Sequence, residues 1–242
     1  DVLSALRSEG IECFPEHQAA NVAGKDTVIV STAVPETNPE VVAAVNAGAR
    51  LWPRSAGLMA AMRDETRLSV AGTHGKTTTT SMLTLALHAA GIDASFAIGA
   101  DVPALGTNAR RGSVGVIAVE SDESDGAFLH YAPDLAIITN IDADHLDTWG
   151  TPEAYEAAFA QFVDTVAGPV VVCADDDGCQ RLVARTPGRC ITTGFGANAD
   201  VCGRDLRVTA TGTEFSVDLP DRRRCDIRLS VSGQHYAVDA LL

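Results

Sequence analysis

Residues 69–80 read Ser69-Val-Ala-Gly-Thr-His-Gly-Lys-Thr-Thr-Thr-Thr80. Leu68–Ala71 has the length and character of a buried strand, a glycine turn follows, and Gly75-Lys76-Thr77 opens a helix. The pattern carries that helix to about Ala90, where Gly91 stops it. Such a turn points successive backbone N–H groups inward, the helix N-terminus adds positive potential, and a lysine reaches the outer phosphates of a nucleotide. The Thr77 hydroxyl is then placed to ligate Mg2+. The general phosphate-loop pattern asks for glycine five residues before Gly75, where Val70 stands. Gly72 is the usable glycine, so the loop is a contracted form, GTHGKT. An ordinary glycine turn capped by threonines is the alternative, and it leaves Lys76 unexplained. Lys25 and Lys76 are the chain's two lysines, against sixteen arginines.

Two acidic segments lie downstream. Val114–Val119 is an apolar strand whose next residue is Glu120, followed by Ser-Asp-Glu-Ser-Asp125. A carboxylate at the C-terminal end of a parallel strand beside a phosphate loop suits a Mg2+ ligand, and Glu120 holds that place. Asp122, Glu123 and Asp125 read more simply as a solvated acidic loop. The next strand, Leu135-Ala-Ile-Ile-Thr-Asn140, runs into Ile-Asp-Ala-Asp-His-Leu-Asp147 and brings His145 to the same sheet edge. His145, with Asp144 beside it, is a candidate metal or phosphate ligand.

Around this centre the chain alternates strand and helix patterns. Upstream, a helix over Asp1–Glu9, a short strand at Ile11–Phe14, a strand at Thr27–Ser31 and a helix at Asn38–Asn46 are expected. A strand near Arg50–Trp52 and a helix from Ser55 to Met62 follow, and the charged stretch Arg63–Arg67 reads as a linker. This is the rhythm of parallel strands with crossover helices. Downstream, Pro152 opens a helix with Tyr155, Ala158, Phe159 and Phe162 on one face. Strands at Pro169–Cys173 and Arg189–Thr192 flank another helix, and from Asp205 to Ser232 the period switches to two, as in antiparallel hairpins.

Composition sets outer limits. The net charge of −14 argues against nucleic-acid wrapping or an anionic membrane surface as a partner, since both need a basic footprint. It leaves room for a small anionic ligand held by local N–H groups and one or two cations. The apolar runs fall well short of the ~18 residues a membrane span requires. The six cysteines form no CxxC pair and read as mostly buried free thiols in a reducing cytoplasm.

Taken together, GTHGKTTTT (72–80), ESDESD (120–125), TNIDADHLD (139–147) and GQH (233–235) resemble the Mur ligase family, the ATP-dependent amide-forming enzymes of peptidoglycan precursor synthesis. Ser31-Thr-Ala-Val34 followed by Asn38-Pro-Glu40 is similar to that family's N-terminal UDP-binding domain. The resemblance implies an α/β protein with a Rossmann-like N-terminal domain over 1–66 that binds the UDP substrate, Ser31 and Thr32 included. Residues 67–242 would form a P-loop ATPase domain with a mostly parallel sheet and appended antiparallel strands. In that reading Gly72, Thr73, His74, Gly75, Lys76, Thr77 and Thr78 cradle the ATP phosphates. Thr77 and Glu120 hold one Mg2+, and His145 positions a second; Lys76, Glu120 and His145 carry the chemistry. Asn108 lies near the substrate pyrophosphate and His235 near the adenosine. The family's GxHNxxN segment has asparagines where this chain has Tyr236 and Asp239, and a carboxylate only accepts where an amide also donates.

Within the family, the histidine of GTHGKT and the DESD run resemble the members that join L-alanine to the lactyl carboxylate of UDP-N-acetylmuramate through an acyl phosphate. The murein tripeptide recycling ligase is the alternative inside the family, and a non-catalytic nucleotide-binding module the alternative outside it. Later members of the pathway use a carbamylated lysine, and no lysine follows Lys76. The chain reads as two incomplete domains of a three-domain cytoplasmic enzyme, inactive in isolation. On this basis Lys76→Ala is expected to abolish turnover and leave the fold intact.

Overall fold

The computed structural model describes every residue except Asp1, Thr32, Ala197, Pro220 and Arg222. It divides into two units, Asp1–Arg63 and Asp64–Leu242.

In the first unit, helix α1 (Val2–Ser8) and a 3-10 turn (Ala19–Val22) precede β1 (Thr27–Val30), α2 (Pro39–Asn46), β2 (Arg50–Pro53) and α3 (Arg54–Ala61). β1 and β2 pair in parallel, Thr27 opposite Arg50 and Val30 opposite Pro53, with α2 as the crossover. α2 starts where it does for two reasons. The Asn38 side chain accepts the Glu40 N–H at 2.9 Å, and Pro39 takes the first helical position, where no N–H is required. The strand expected at Ile11–Phe14 is absent; the segment is irregular, and Ile11 and Phe14 are exposed. A strand exists through its ladder partner, and the β1–β2 sheet has no third strand among the described residues.

The second unit is built on a ten-stranded sheet. Its elements are β3 (Thr66–Ala71), α4 (Lys76–Ala89), β4 (Ser95–Val102), β5 (Thr107–Arg110), β6 (Val116–Glu120) and β7 (Leu135–Ile138). There follow α5 (Leu146–Trp149), α6 (Pro152–Thr165), β8 (Val170–Cys173), α7 (Asp177–Arg185) and β9 (Cys190–Gly194). Strands β10 (Val201–Thr209), β11 (Gly212–Asp218) and β12 (Arg224–Leu229) and helix α8 (Gln234–Leu241) complete it. The order across the sheet is β12-β11-β10-β9-β8-β7-β3-β6-β4-β5. All neighbours from β10 to β4 are parallel, and antiparallel strands extend both edges.

Two sequence expectations change here. Thr66 and Arg67, assigned to the linker, already belong to β3: they pair with Val116 and Ile117, and the Arg67 N–H donates to Asp134 Oδ2 at 2.8 Å. The β4–β5 hairpin was not foreseen at all. Its second strand, Thr-Asn-Ala-Arg, lacks apolar alternation, so nothing local marks it as a strand.

The core lies under α6. Tyr155, Ala158, Phe159 and Phe162 are all buried on one face, as their spacing requires, and pack with Phe128, Ile138, Val170 and Val172. The Phe128 ring stacks on Phe162 at 5.0 Å and meets Phe159 edge-on at 5.3 Å. α8 covers the antiparallel extension through Ala237 and Leu241 against Phe215 and Val217. Of the cysteines, all free, Cys173, Cys179 and Cys202 are buried, Cys13 and Cys190 are half-buried, and Cys225 is exposed. Burial pushes the Cys173 and Cys179 thiols up, away from the thiolate form. No helix of the described residues is long and apolar enough to cross a membrane.

Candidate nucleotide-binding site

β3 lies between β6 and β7, and the chain crosses from one side of it to the other after β6. In an open parallel sheet such a switch point leaves a crevice at the C-terminal strand ends, where ligands bind. Residues 72–75, Glu120 and residues 139–140 all fall at that edge, because the register sets Val70 opposite Glu120 and Ala71 opposite Ile138.

The glycine turn leaves β3 at Gly72, with φ of +126°, and closes at Gly75, the N-cap of α4, with φ of +81°. Two residues that the sequence left without a role hold its shape. Asn140 accepts the His74 N–H through Oδ1 at 2.9 Å and donates to the His74 carbonyl through Nδ2 at 2.9 Å. The Thr139 hydroxyl donates to the same carbonyl at 2.5 Å, and the Asn140 carbonyl accepts the Thr73 N–H at 3.1 Å. The first helical bond of α4 runs from Thr79 N–H to Gly75 O at 2.9 Å. The N–H groups of Lys76, Thr77 and Thr78 therefore precede the helical ladder and stay available to an anion.

Thr77 and Glu120 come together: the Thr77 hydroxyl lies 3.0 Å from both carboxylate oxygens, and Gly99 N–H of β4 donates to Glu120 Oε2 at 2.8 Å. These are hard oxygen donors at the mouth of the loop, the donor set Mg2+ takes, with phosphate and water completing its shell. Among the described residues no group of three or more His, Cys, Asp or Glu side chains converges on a cation. His145 is not part of the Thr77–Glu120 pair. It caps α5 with φ of +50°, and its Nε2 lies 3.9 Å from Glu123 Oε1 and 3.9 Å from Asp144 Oδ2.

Glu123 departs furthest from expectation. It is no solvated loop residue: its exposure is 0%. Its carboxylate pairs with Lys76 Nζ at 2.8 Å and accepts the Tyr155 hydroxyl at 3.4 Å, while its carbonyl accepts the Trp149 indole N–H at 3.1 Å. Burial pushes the Glu123 carboxyl up, and Lys76 pulls it back down. Asp122 and Asp125, by contrast, turn the loop locally, accepting the Ser124 and Ala127 N–H groups at 3.0 and 2.9 Å. Lys76 thus has a buried structural partner, and that pairing runs against the expectation that Lys76→Ala spares the fold. Nothing in the sequence flagged Glu123 beyond its place in an acidic run.

The remaining candidates are dispersed. Asn108 is exposed on β5, its Nδ2 donating to the Ile98 carbonyl at 3.4 Å. Ser31 follows β1 in the first unit, where its hydroxyl accepts the Ala33 N–H at 3.3 Å; Thr32 lies outside the described residues. His235 is exposed in the first turn of α8, its ring 4.1 Å from that of Tyr236. Asp239, one turn further along α8, presses on the loop: a Cβ on Gly75 would meet its Oδ1 at 2.6 Å. The buried Thr79 hydroxyl approaches it without forming a full hydrogen bond. Desolvation pushes the Asp239 carboxyl up to about 6, against a pull downward from His235.

That shift has a definite sign. Between the ordinary value of 3.8 and about 6 the folded chain holds a proton that the unfolded chain has released, so stability falls as pH rises through that window. Asp239→Asn is expected to remove the fall and to be more stable at pH 7.5 by about 1–2 kcal/mol, allowing for screening of a half-buried group. Urea denaturation at pH 5 and pH 7.5 checks this; parallel pH profiles for the two proteins would refute it.

Two family models match the chain, one described as Mur ligase family, catalytic domain, over residues 1–66, and one as Mur ligase middle domain over residues 70–242. A UDP-N-acetylmuramate–L-alanine ligase of Nocardioides sp. is 49% identical over 99% of this chain and 50% of its own length. In three dimensions the chain is similar to the UDP-N-acetylmuramate-alanine ligase MurC of Thermotoga maritima, with a TM-score of 0.85 and 27% identity over 98% of this chain and 54% of that one. It is similar to the UDP-N-acetylmuramate:L-alanyl-gamma-D-glutamyl-meso-diaminopimelate ligase of Neisseria meningitides to nearly the same degree, with a TM-score of 0.84 and 25% identity over 98% of this chain and 79% of that one. The chain spans about half the length of the curated relatives it matches. The middle-domain match runs from the glycine turn through Glu120 and His145 to α8, so the whole switch-point crevice falls within it, and the chain belongs to the Mur ligase family.

Proposed function

We propose that this chain carries the nucleotide site of an ATP-dependent ligase that joins L-alanine to the lactyl carboxylate of UDP-N-acetylmuramate. The convergence of Lys76, Thr77 and Glu120 at the switch-point edge carries the reading. Two anions, a carboxylate and a triphosphate, must approach each other in the first step, and the site must offset their repulsion. The N–H groups that open α4 and the Lys76 ammonium supply fixed positive potential there. Thr77 and Glu120 would hold Mg2+, which when bound spreads the charge of the transferring phosphoryl group. The Thr139–Asn140 clamp keeps the loop in one shape, so the donors need no rearrangement when charge develops. Ser31 and Thr32 of the first unit are the candidates for binding the UDP-sugar, and Asn108 is the candidate for its pyrophosphate.

The alanine-adding activity is supported by the identity to ligases of that name and by the absence of any lysine after Lys76. The fold itself does not discriminate, since both structural neighbours match it nearly equally. The test is phosphate release by the full-length gene product with ATP, UDP-N-acetylmuramate and, in turn, L-alanine, L-serine, glycine and the recycling tripeptide. Release dependent on L-alanine is expected. Turnover with the tripeptide alone would move the assignment to the recycling ligase, and no amino-acid dependence would remove ligase chemistry.

A further inference from the structure

Glu123 is an acid with no exposed surface in a site whose ligand is polyanionic. Its partner, the Lys76 ammonium, has three N–H donors. Four acceptors lie within 3.1 Å of it: the carbonyls of Gly72 and Thr73 and both oxygens of Glu123. No donor is left over, so a nucleotide phosphate that engages Lys76 must displace one of them. The neutral carbonyls give way more readily, because stranding a buried ion costs more than exchanging one neutral acceptor for another. Glu123 cannot swing aside: Trp149 fixes its main chain and the Tyr155 hydroxyl its carboxylate. Tyr155 is fastened in turn to the Thr73 hydroxyl of the loop at 2.8 Å.

Resting on the nucleotide reading above, we propose that Glu123 sets the strength with which the phosphate loop holds nucleotide, as a fixed counter-charge that shares Lys76 with the bound phosphates. It is a positioning residue acting through Lys76. A lysine half-neutralised by a buried carboxylate grips phosphate less firmly, which lets the diphosphate product leave after each turnover.

The test is calorimetric titration of the full-length gene product with Mg2+·ADP for the wild type, Glu123→Gln and Glu123→Met. Both substitutions keep the side-chain volume and remove the charge, so both are expected to tighten binding about tenfold. A residue with only a structural role gives the opposite sign, since damage to the loop weakens binding. Binding by either folded variant that equals or falls below wild type overturns the inference. Absence of Mg2+·ADP binding by the wild-type full-length protein overturns the nucleotide reading itself, and this inference with it.

Discussion

Lys76→Ala is expected to weaken the fold of the second unit as well as silence the phosphate loop. The substitution deletes the ammonium that pairs with Glu123 at 2.8 Å, a carboxylate with 0% exposure. Removing one member of a buried ion pair leaves the other uncompensated, and the loss runs to about 3–5 kcal/mol. That is a large fraction of the roughly 5–15 kcal/mol that a folded domain of this kind has in total. The effect has a pH signature. Burial already pushes the Glu123 carboxyl up and Lys76 is the main pull against it; without Lys76 the upward push dominates more strongly. The folded variant then binds a proton that the unfolded chain releases, so it regains stability as pH falls through the range above the ordinary value of 4.5. Denaturation of wild type, Lys76→Ala and Lys76→Ala/Glu123→Gln at pH 7.5 separates the contributions. The double variant should recover most of what the single one loses. A single variant as stable as wild type would show that Glu123 finds another partner.

Gly72→Ala is expected to destroy nucleotide binding outright. Gly72 has φ of +126°, a conformation that side-chain-bearing residues rarely adopt. A Cβ there would collide with the Thr139 hydroxyl and lie 3.0 Å from both the Asn140 carbonyl and the Thr139 amide nitrogen. The last two are main-chain atoms at the end of β7, where Thr139 N–H bonds the Ala71 carbonyl at 3.0 Å, so neither can retreat without breaking the ladder. Overpacking and backbone strain together place the cost at about 3 kcal/mol, and the loop moves off the Thr139–Asn140 clamp. Gly91 supplies the control. It has φ of +81° but nothing within 4 Å of the same position, so Gly91→Ala should cost about 1 kcal/mol and leave Mg2+·ADP binding untouched. Equal losses for the two would show that φ alone, and not contact with β7, governs Gly72.

Both effects turn on contacts that the sequence could not show. Asn140 was the last residue of an expected strand, yet its amide meets both sides of the His74 peptide, 66 positions away in the chain. Glu123 belonged to an acidic run whose other members, Asp122 and Asp125, do make only local turns. What sets Glu123 apart is the approach of Tyr155 and Trp149 from α6 and α5 and of Lys76 from α4. No pattern in residues 120–125 encodes these.

Elsewhere the local signal was enough. The α6 face was legible because its apolar spacing has a helical period and all four residues are buried. The strand–turn–helix around Lys76 was legible because a glycine turn, a lysine and a threonine run are adjacent in the chain, and a phosphate loop is a contiguous structure. Glu120 was legible because an apolar strand ending in an acid marks its own C-terminal edge. By itself, then, the sequence determined the glycine turn that opens α4, the parallel sheet that carries it, and the placing of Thr77 and Glu120 at its edge. Tertiary structure alone decided which acid lies buried against Lys76, what clamps the loop, and that the polar strand β5 extends one sheet edge. The division follows the range of the interactions: period and adjacency are written along the chain, whereas burial and counter-charge arise only when β6 and β7 take their places on either side of β3.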